Sequence, residues 1–387
     1  MNQIMVEPEK MDHAARLRNL QASLASNKLG CLLITHLPNV HYLSGFTGSA
    51  ATLLVKERGC ILFTDGRYRA QAEQEVKGAK IVVTRQSPLW AAAGWLVARR
   101  GVSSSGSSKS RLNKSESSVS RTVGIEPESL TAGMRDHLAS LLKGMARLRS
   151  SPPLVERARM VKDAAEIRCI RRAVALGASL FTVAREKIRP GVTEIEVAGA
   201  MEYQARRGGA DGMSFPTILA SGARSAIVHG RASGARIPAL GFVVCDFGVI
   251  LAGYCSDRTR TVHVGKPSEE ARSLYGSVLE AQQRAIEAVR PGATAAEVDG
   301  AARRVLRHRK LARYFTHSTG HGLGLEIHEA PRLAVGQAQK LEPGMVITIE
   351  PGAYVPGKWG VRIEDVVLVT SSGCEVLTPT DKGLVII

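Results

Sequence analysis

The sequence predicts two unlike domains, an α/β domain over residues 12–150 and an α+β domain over residues 151–387 built as two related halves. Three observations carry this. Strands and helices alternate through the first third of the chain, which is the pattern of an α/β sheet. A twelve-residue segment then recurs: Arg189-Pro-Gly-Val-Thr-Glu-Ile-Glu-Val-Ala-Gly-Ala200 matches Arg290-Pro-Gly-Ala-Thr-Ala-Ala-Glu-Val-Asp-Gly-Ala301 at eight of twelve positions. Each copy ends a long helix, turns at Pro-Gly, opens a second helix and leads into strands.

In chain order, residues 1–11 read as a flexible tail, with Met11 as an alternative start. Leu17, Leu20 and Leu24 fall at helical spacing within 12–29. Cys31–Thr35, Ala51–Val55 and Cys60–Thr64 are apolar runs of strand length, the last two flanking a turn at 56–59. A helix over 69–76 and strands over 80–84 and 122–126 follow. Between the last two strands lies a serine-rich stretch, 103–120, in which ten of eighteen residues are serine; it lacks the apolar area to offset the entropy of ordering and reads as a mobile insertion. Ser150-Ser-Pro-Pro153 marks the expected domain boundary. Beyond it, helices are expected over 163–188 and 268–289, and Thr193 with Glu196 and Thr294 with Glu297 have the spacing of a capping box at the start of each following helix.

Composition narrows the function. The 387 residues are 44% hydrophobic and 22% charged, as in ordinary globular proteins. No apolar run is long enough to span a bilayer, the N-terminus has no basic-then-apolar signal pattern, and the six cysteines include no Cys-x-x-Cys pair. A cytoplasmic protein with reduced thiols is expected. The net charge of +17 raises nucleic-acid binding, but only 4% of the residues are aromatic and the densest basic run, Arg303–Lys310, continues an amphipathic helix. A solvated helix face is expected there, and a nucleic-acid partner is not.

The chemistry concentrates in the second domain. Phe242-Val-Val-Cys-Asp246 runs as an apolar strand into an acid, and a hairpin centred on Leu251-Ala252 would set Asp257 directly opposite Asp246. The last sheet repeats the device, since centring its hairpin on Gly357 brings Glu364 opposite Glu350. Paired buried carboxylates repel unless a cation lies between them. Residues 316–329 add three histidines, His317, His321 and His328, among glycines. Four carboxylates and one imidazole suit two divalent ions in a mostly oxygen shell, Mn²⁺ first, with Co²⁺, Fe²⁺ or Zn²⁺ as other metals such a shell accepts. The reaction class is metal-assisted hydrolysis.

These residues resemble a known family. Asp246-Phe-Gly248, Gly253-Tyr-Cys-Ser-Asp-Arg-Thr-Arg-Thr261, Gly320-His-Gly-Leu-Gly324 with His328-Glu329, Ile349-Glu-Pro-Gly352 and Gly360-Val-Arg-Ile-Glu-Asp365 closely resemble the Xaa-Pro peptidases, aminopeptidase P and prolidase. Tyr42–Ser49 and Thr64–Tyr68 resemble the creatinase-type N-terminal domain of the same proteins. The resemblance implies a pita-bread catalytic domain with an internal pseudo-two-fold repeat, cleavage of the bond between an N-terminal residue and proline, and a homodimer. It implies that Asp246 chelates one ion, that His321 and Glu350 bind the other, and that Asp257 and Glu364 bridge. Glu350 would also carry a proton between the attacking hydroxide and the leaving nitrogen. His229 and His328 would contact the substrate and stabilise the tetrahedral intermediate, with His317, Arg362 and Tyr354 in the same pocket. Creatinase shares the fold but lacks the metal ligands, and methionine aminopeptidase lacks the extra N-terminal domain. The competing reading from another class is a catalytically silent pita-bread protein that binds peptide or nucleic acid.

Overall fold

A computed structural model describes residues 11–101, 121–378 and 380–387. The serine-rich stretch 103–120 and residues 1–10 of the expected tail lie outside them. The chain divides into two compact units, Met11–Ala158 and Arg159–Ile387.

In the first unit a six-stranded mixed sheet runs in the order Lys80–Thr84, Cys60–Asp65, Ala51–Lys56, Cys31–Ile34, Thr122–Ile125, Arg147–Ser150. The 31–34 and 51–56 strands are buried along almost their whole length, as their unbroken apolar runs require. Three helices of this unit escape the sequence reading. Leu37–Ser44 is short and opens on proline, Pro88–Gly101 is apolar around most of its circumference, and Ala132–Leu141 buries only Leu138.

The division between the units falls eight residues beyond the Ser150–Pro153 boundary expected from sequence, inside the helix Leu154–Met160. The reason is electrostatic. The buried Arg159 donates to Glu326 at 2.7 Å and Glu329 at 2.6 Å, and Lys162 donates to Glu329 at 3.1 Å, so the chain from Arg159 onward is fastened to the second unit. A serine-proline run has the composition of a linker but says nothing about where such anchors begin.

The second unit carries the repeat in its hydrogen bonds. Helix Ala164–Lys187 turns at Gly191 into helix Glu194–Arg207, and helix Glu269–Glu287 turns at Gly292 into helix Ala295–His308. Both glycines adopt positive φ, 85° and 81°, which side-chain-bearing residues rarely take. Gly191 N–H donates to Ile237 O and Gly292 N–H to Leu341 O, each at 2.9 Å. Nine residues beyond these two acceptors stand Asp246 and Glu350. Each half has its own apolar core, one around Phe181, Met201 and Phe247, the other around Val278, Leu306 and Ile347.

The first hairpin differs from the sequence expectation by two residues. Ile250 pairs with Cys255 and Leu251 with Tyr254, leaving Ala252 and Gly253 as the turn. Both have positive φ, 51° and 79°, the conformation of a two-residue I′ turn, which favours glycine and so centres on Ala252-Gly253 rather than Leu251-Ala252. Asp246 is therefore opposite Thr259, with Asp257 on the diagonal. A shift of two residues leaves both acids on the same face of the sheet. The second hairpin has the expected register: Gly352 pairs with Arg362 and Ile349 with Asp365, so Glu350 and Glu364 stand level between two sheets.

Both capping boxes form as their spacing predicts. Glu297 N–H donates to Thr294 Oγ1 at 3.2 Å, and Thr294 N–H donates to the Glu297 carboxylate at 2.6 Å. Thr294→Ala removes one of these bonds and should lower stability by about 1 kcal/mol, the usual loss of an N-cap. Urea unfolding of the variant beside wild type measures it.

Candidate metal centre and substrate cleft

Asp246 is the penultimate residue of the strand Gly241–Phe247 and Asp257 lies just before the strand Arg258–Val264, so the central pair of the four-stranded sheet presents both acids at one end. Glu350 and Glu364 enter from the ends of Val346–Ile349 and Trp359–Arg362. His321 is central in the strand Gly320–Gly322, where a Cβ on either flanking glycine would collide with backbone, with Thr348 O at Gly320 and Ala330 O at Gly322. Only Gly-His-Gly lets the strand pass there with the imidazole pointing at the acids.

The five groups converge. One ligand atom each from Asp257, His321 and Glu364 lies within 4.8 Å of the others. His321 Nε2 is 3.5 Å from Asp257 Oδ2 and 3.4 Å from Glu350 Oε1. His321 Nδ1 lies 3.0 Å from Gly322 O; a carbonyl can only accept, so Nδ1 carries the proton and Nε2 turns a lone pair to the carboxylates.

The electrostatics of the cluster are those of a site built for cations. Burial, then the charges of Asp246 and Glu350, holds the Asp257 carboxyl well above the usual range. Burial, then Asp257, Glu350 and Asp246, does the same to Glu364. Burial lifts Glu350 to about 7 against the opposing charge of Arg362. Two buried oxygens, Asp246 Oδ1 and Glu364 Oε1, have no hydrogen-bond partner, which is costly for carboxylates unless something positive completes them. A donor set of four carboxylates and one neutral imidazole suits hard or borderline divalent metals, and the residues present fit such ions.

Around the ligands is a frame of donors that sequence reasoning largely missed. Thr259 Oγ1 donates to Glu364 Oε2 at 2.7 Å, and Thr348 Oγ1 accepts from His321 N–H at 3.1 Å. Both threonines sit in the strands that carry the acids, but nothing in a strand pattern distinguishes them from ordinary β-formers. Arg362, 2% exposed, donates to Asp246 Oδ2, to Thr259 Oγ1 at 3.0 Å, to Tyr354 Oη at 2.6 Å and to Val228 O at 3.1 Å.

The cleft beside the acids has a volume of about 580 Å³. His229, His317, His328 and Arg362 line it, together with Phe215, Pro216, Ile327 and Arg332, which the sequence reading did not single out. Tyr354 does not line it. That residue was expected in the substrate pocket, but it is 5% exposed and its hydroxyl is held between His317 Nε2, at 2.9 Å, and Arg362. Its role is to fix those two side chains, and burial pushes its hydroxyl up to about 12. His328 packs edge-on against His321 with ring centroids 4.4 Å apart, and burial and the neighbouring histidines depress its pKa. His317 is held neutral down to about pH 4 by burial and by the charge of Arg362.

Arg303 also departs from expectation. The basic run 303–310 predicts a solvated face, but Arg303 Nε donates to Asp299 at 2.7 Å and its Nη2 to His317 O at 2.6 Å. Asp299 in turn accepts from Thr319 N–H and Oγ1, so the helix Ala295–His308 anchors the segment leading to His321.

Fold and site together define a peptidase-type metal site in a two-domain chain. The profile of metallopeptidase family M24 matches residues 168–371, and that of the creatinase/prolidase N-terminal domain matches residues 16–161. The chain is 34% identical to an Xaa-Pro dipeptidase of Pyrococcus horikoshii over 380 residues, covering 96% of this chain and 98% of that one. Among solved structures it resembles an Xaa-Pro dipeptidase from Bacillus anthracis, with a TM-score of 0.88, 36% identity, and 97% and 100% of the two chains covered. An X-Pro aminopeptidase from Thermotoga maritima gives a TM-score of 0.84 at 33% identity, covering 96% and 99%. The chain belongs to metallopeptidase family M24, with the pita-bread catalytic domain and the creatinase-type N-terminal domain of its prolidase members.

The raised carboxyl of Glu364 has a consequence for the metal-free protein. A carboxyl held protonated by the fold destabilises it as pH rises above the ordinary value of 4.5, because the unfolded chain releases the proton and the folded chain retains it. Glu364→Gln removes that term. The metal-free variant should melt higher than metal-free wild type at pH 7 and the same as wild type at pH 4, while losing most of the stabilisation that added Mn²⁺ confers. Differential scanning calorimetry at the two pH values, with and without metal, measures all three.

Proposed function

We propose that this protein is an Xaa-Pro dipeptidase that uses two divalent metal ions, Mn²⁺ first, held by Asp246, Asp257, His321, Glu350 and Glu364. The carrying observation is the convergence of these five groups, two of them with orphaned buried oxygens, at the base of a cleft lined by histidines. Ions bound there would polarise the scissile carbonyl and generate a hydroxide nucleophile at neutral pH.

The chain's own residues supply the rest. Glu350, 16% exposed, faces the cleft with its carboxyl raised to about 7, so it can take a proton from the attacking water and give it to the leaving proline nitrogen. His328, neutral at physiological pH, can donate a hydrogen bond to the oxygen on which charge develops, and His229 projects into the same cleft from the 222–232 loop. His317, tied to Tyr354, shapes the wall beside Arg362. No helix of the described residues is long and apolar enough to cross a membrane. The catalytically silent alternative is not favoured, because every ligand position is occupied by a competent residue.

Preference for a dipeptide rests on Arg332. It is directly opposite His321 in the strand pairing and lines the cleft, and its guanidinium makes no hydrogen bond or ion pair among the described residues. A guanidinium left free beside the metal-facing histidine can receive a substrate carboxylate, and in a dipeptide that carboxylate lies one residue beyond the scissile bond. Arg332→Met should lower kcat/KM for an Ala-Pro dipeptide by roughly tenfold or more, the size of one charge-assisted hydrogen bond, and leave an Ala-Pro-Ala tripeptide nearly unchanged. Faster turnover of the tripeptide than of the dipeptide by the wild-type enzyme would assign aminopeptidase specificity instead. No Mn²⁺-dependent cleavage of either would overturn the peptidase reading.

A further inference from the structure

The two halves of the repeat agree in backbone and differ in where the second helix buries an acid: Glu194 stands where the second half has Ala295, and Asp299 where the first half has Ala198. Glu194 N–H donates to Ala235 O at 3.0 Å, and the matching Ala295 N–H donates to Gln339 O at 2.9 Å. The first half has a carboxylate at this point and the second half a methyl group. Glu194 is 0% exposed, an unusual place for a carboxylate in the first turn of a helix.

Its carboxylate is fully employed. Oε1 accepts from Ser221 N–H at 2.8 Å and Ser221 Oγ at 2.9 Å. Oε2 accepts from Ser233 N–H at 3.2 Å and Ser233 Oγ at 2.7 Å. Arg224 Nε donates to both oxygens, at 3.3 and 3.2 Å, while its Nη2 reaches Arg231 O at 3.0 Å. Ser221 and Ser233 are the two ends of the loop 222–232, and Arg224 bridges its interior. One buried carboxylate thus closes the loop at both ends.

That loop carries His229, which is exposed at its tip. Its other ties to the site are Val228 O, which accepts from Arg362 Nη1, and Ser225 Oγ, which accepts from Gly360 N–H at 2.8 Å. In the second half the segment leading to His321 is held by a different acid, Asp299, one turn further along its helix. Each half therefore fastens its histidine-bearing segment with one buried carboxylate from the second helix of the repeat. We propose that Glu194 is a positioning residue for the reaction, acting through the 222–232 loop to hold His229 at the substrate. The inference rests on the reading that His229 contacts the substrate. It gives the side-chain break in the repeat a functional reason: the first half has no metal-binding histidine in a strand and must present its imidazole from a loop.

The test is a double-mutant cycle in the full-length, Mn²⁺-loaded enzyme, on whichever of Ala-Pro and Ala-Pro-Ala is cleaved faster. Glu194→Gln keeps the shape but sets an amide N–H₂ against serine donors. It should lower kcat/KM by roughly tenfold, and His229→Ala by roughly 10²-fold, the usual loss of one oxyanion-type donor. Adding Glu194→Gln to His229→Ala should change kcat/KM less than twofold, because the group being positioned is gone. Metal per subunit should equal wild type in all variants. Ser233→Ala, which removes one donor and leaves the carboxylate, serves in the same cycle should Glu194→Gln not fold. Multiplicative losses in the double mutant, or loss of metal on Glu194→Gln, would overturn the proposal and leave the role of His229 standing. A fully active His229→Ala would overturn both.

Discussion

The structure turns on the mutual repulsion of four carboxylates gathered at one point. Asp246, Asp257, Glu350 and Glu364 come from four chain segments, and three of them are held away from their ordinary ionisation by burial and by one another. Left to themselves such groups destabilise a fold. The surrounding side chains answer this partially: Arg362 neutralises Asp246, and Thr259 gives Glu364 a donor. What they leave unanswered, the orphaned oxygens of Asp246 and Glu364, is the capacity to bind cations. Stability has been given up where the chemistry needs charge.

The repeat explains how one chain assembles such a site. Each half delivers two acids from the end of a strand pair, and the apolar core behind each sheet fixes the strand ends. The helices are more than packing. Through Glu194 and Asp299 they reach past the sheets and hold the loops that bring histidines to the cleft. Similar backbones with different buried acids let the halves take different parts, one presenting an imidazole to the carboxylates from a strand and the other presenting one to the cleft from a loop.

The net charge of +17 has a mixed meaning. Several of the cations are structural, buried on carboxylates at Arg159, Lys162, Arg260 and Arg362. Arg303, placed by sequence on a solvated face, is one of the groups that hold the segment leading to His321. Arg332 stands free in the cleft. Helical periodicity reports which face of Arg303 to Lys310 is apolar, but not which arginine has an acid within reach.

Much of the site was legible in the sequence because its chemistry is local. An acid at the end of an apolar strand and a capping box are each complete within a few residues, so Asp246, Glu350 and both helix starts could be read directly, while His321 was singled out among three histidines by the family resemblance. The second hairpin register was legible as well, since its turn is centred on Gly357. The first was not, because its centre depended on which of two adjacent residues accepted positive φ. His317 on Tyr354, the anchoring of Arg159 on Glu326 and Glu329, and the reach of Glu194 across the 222–232 loop all join residues distant in sequence. Only tertiary structure decides these, because burial and partner choice depend on which segments the folded chain brings together, and residue type alone carries no record of that.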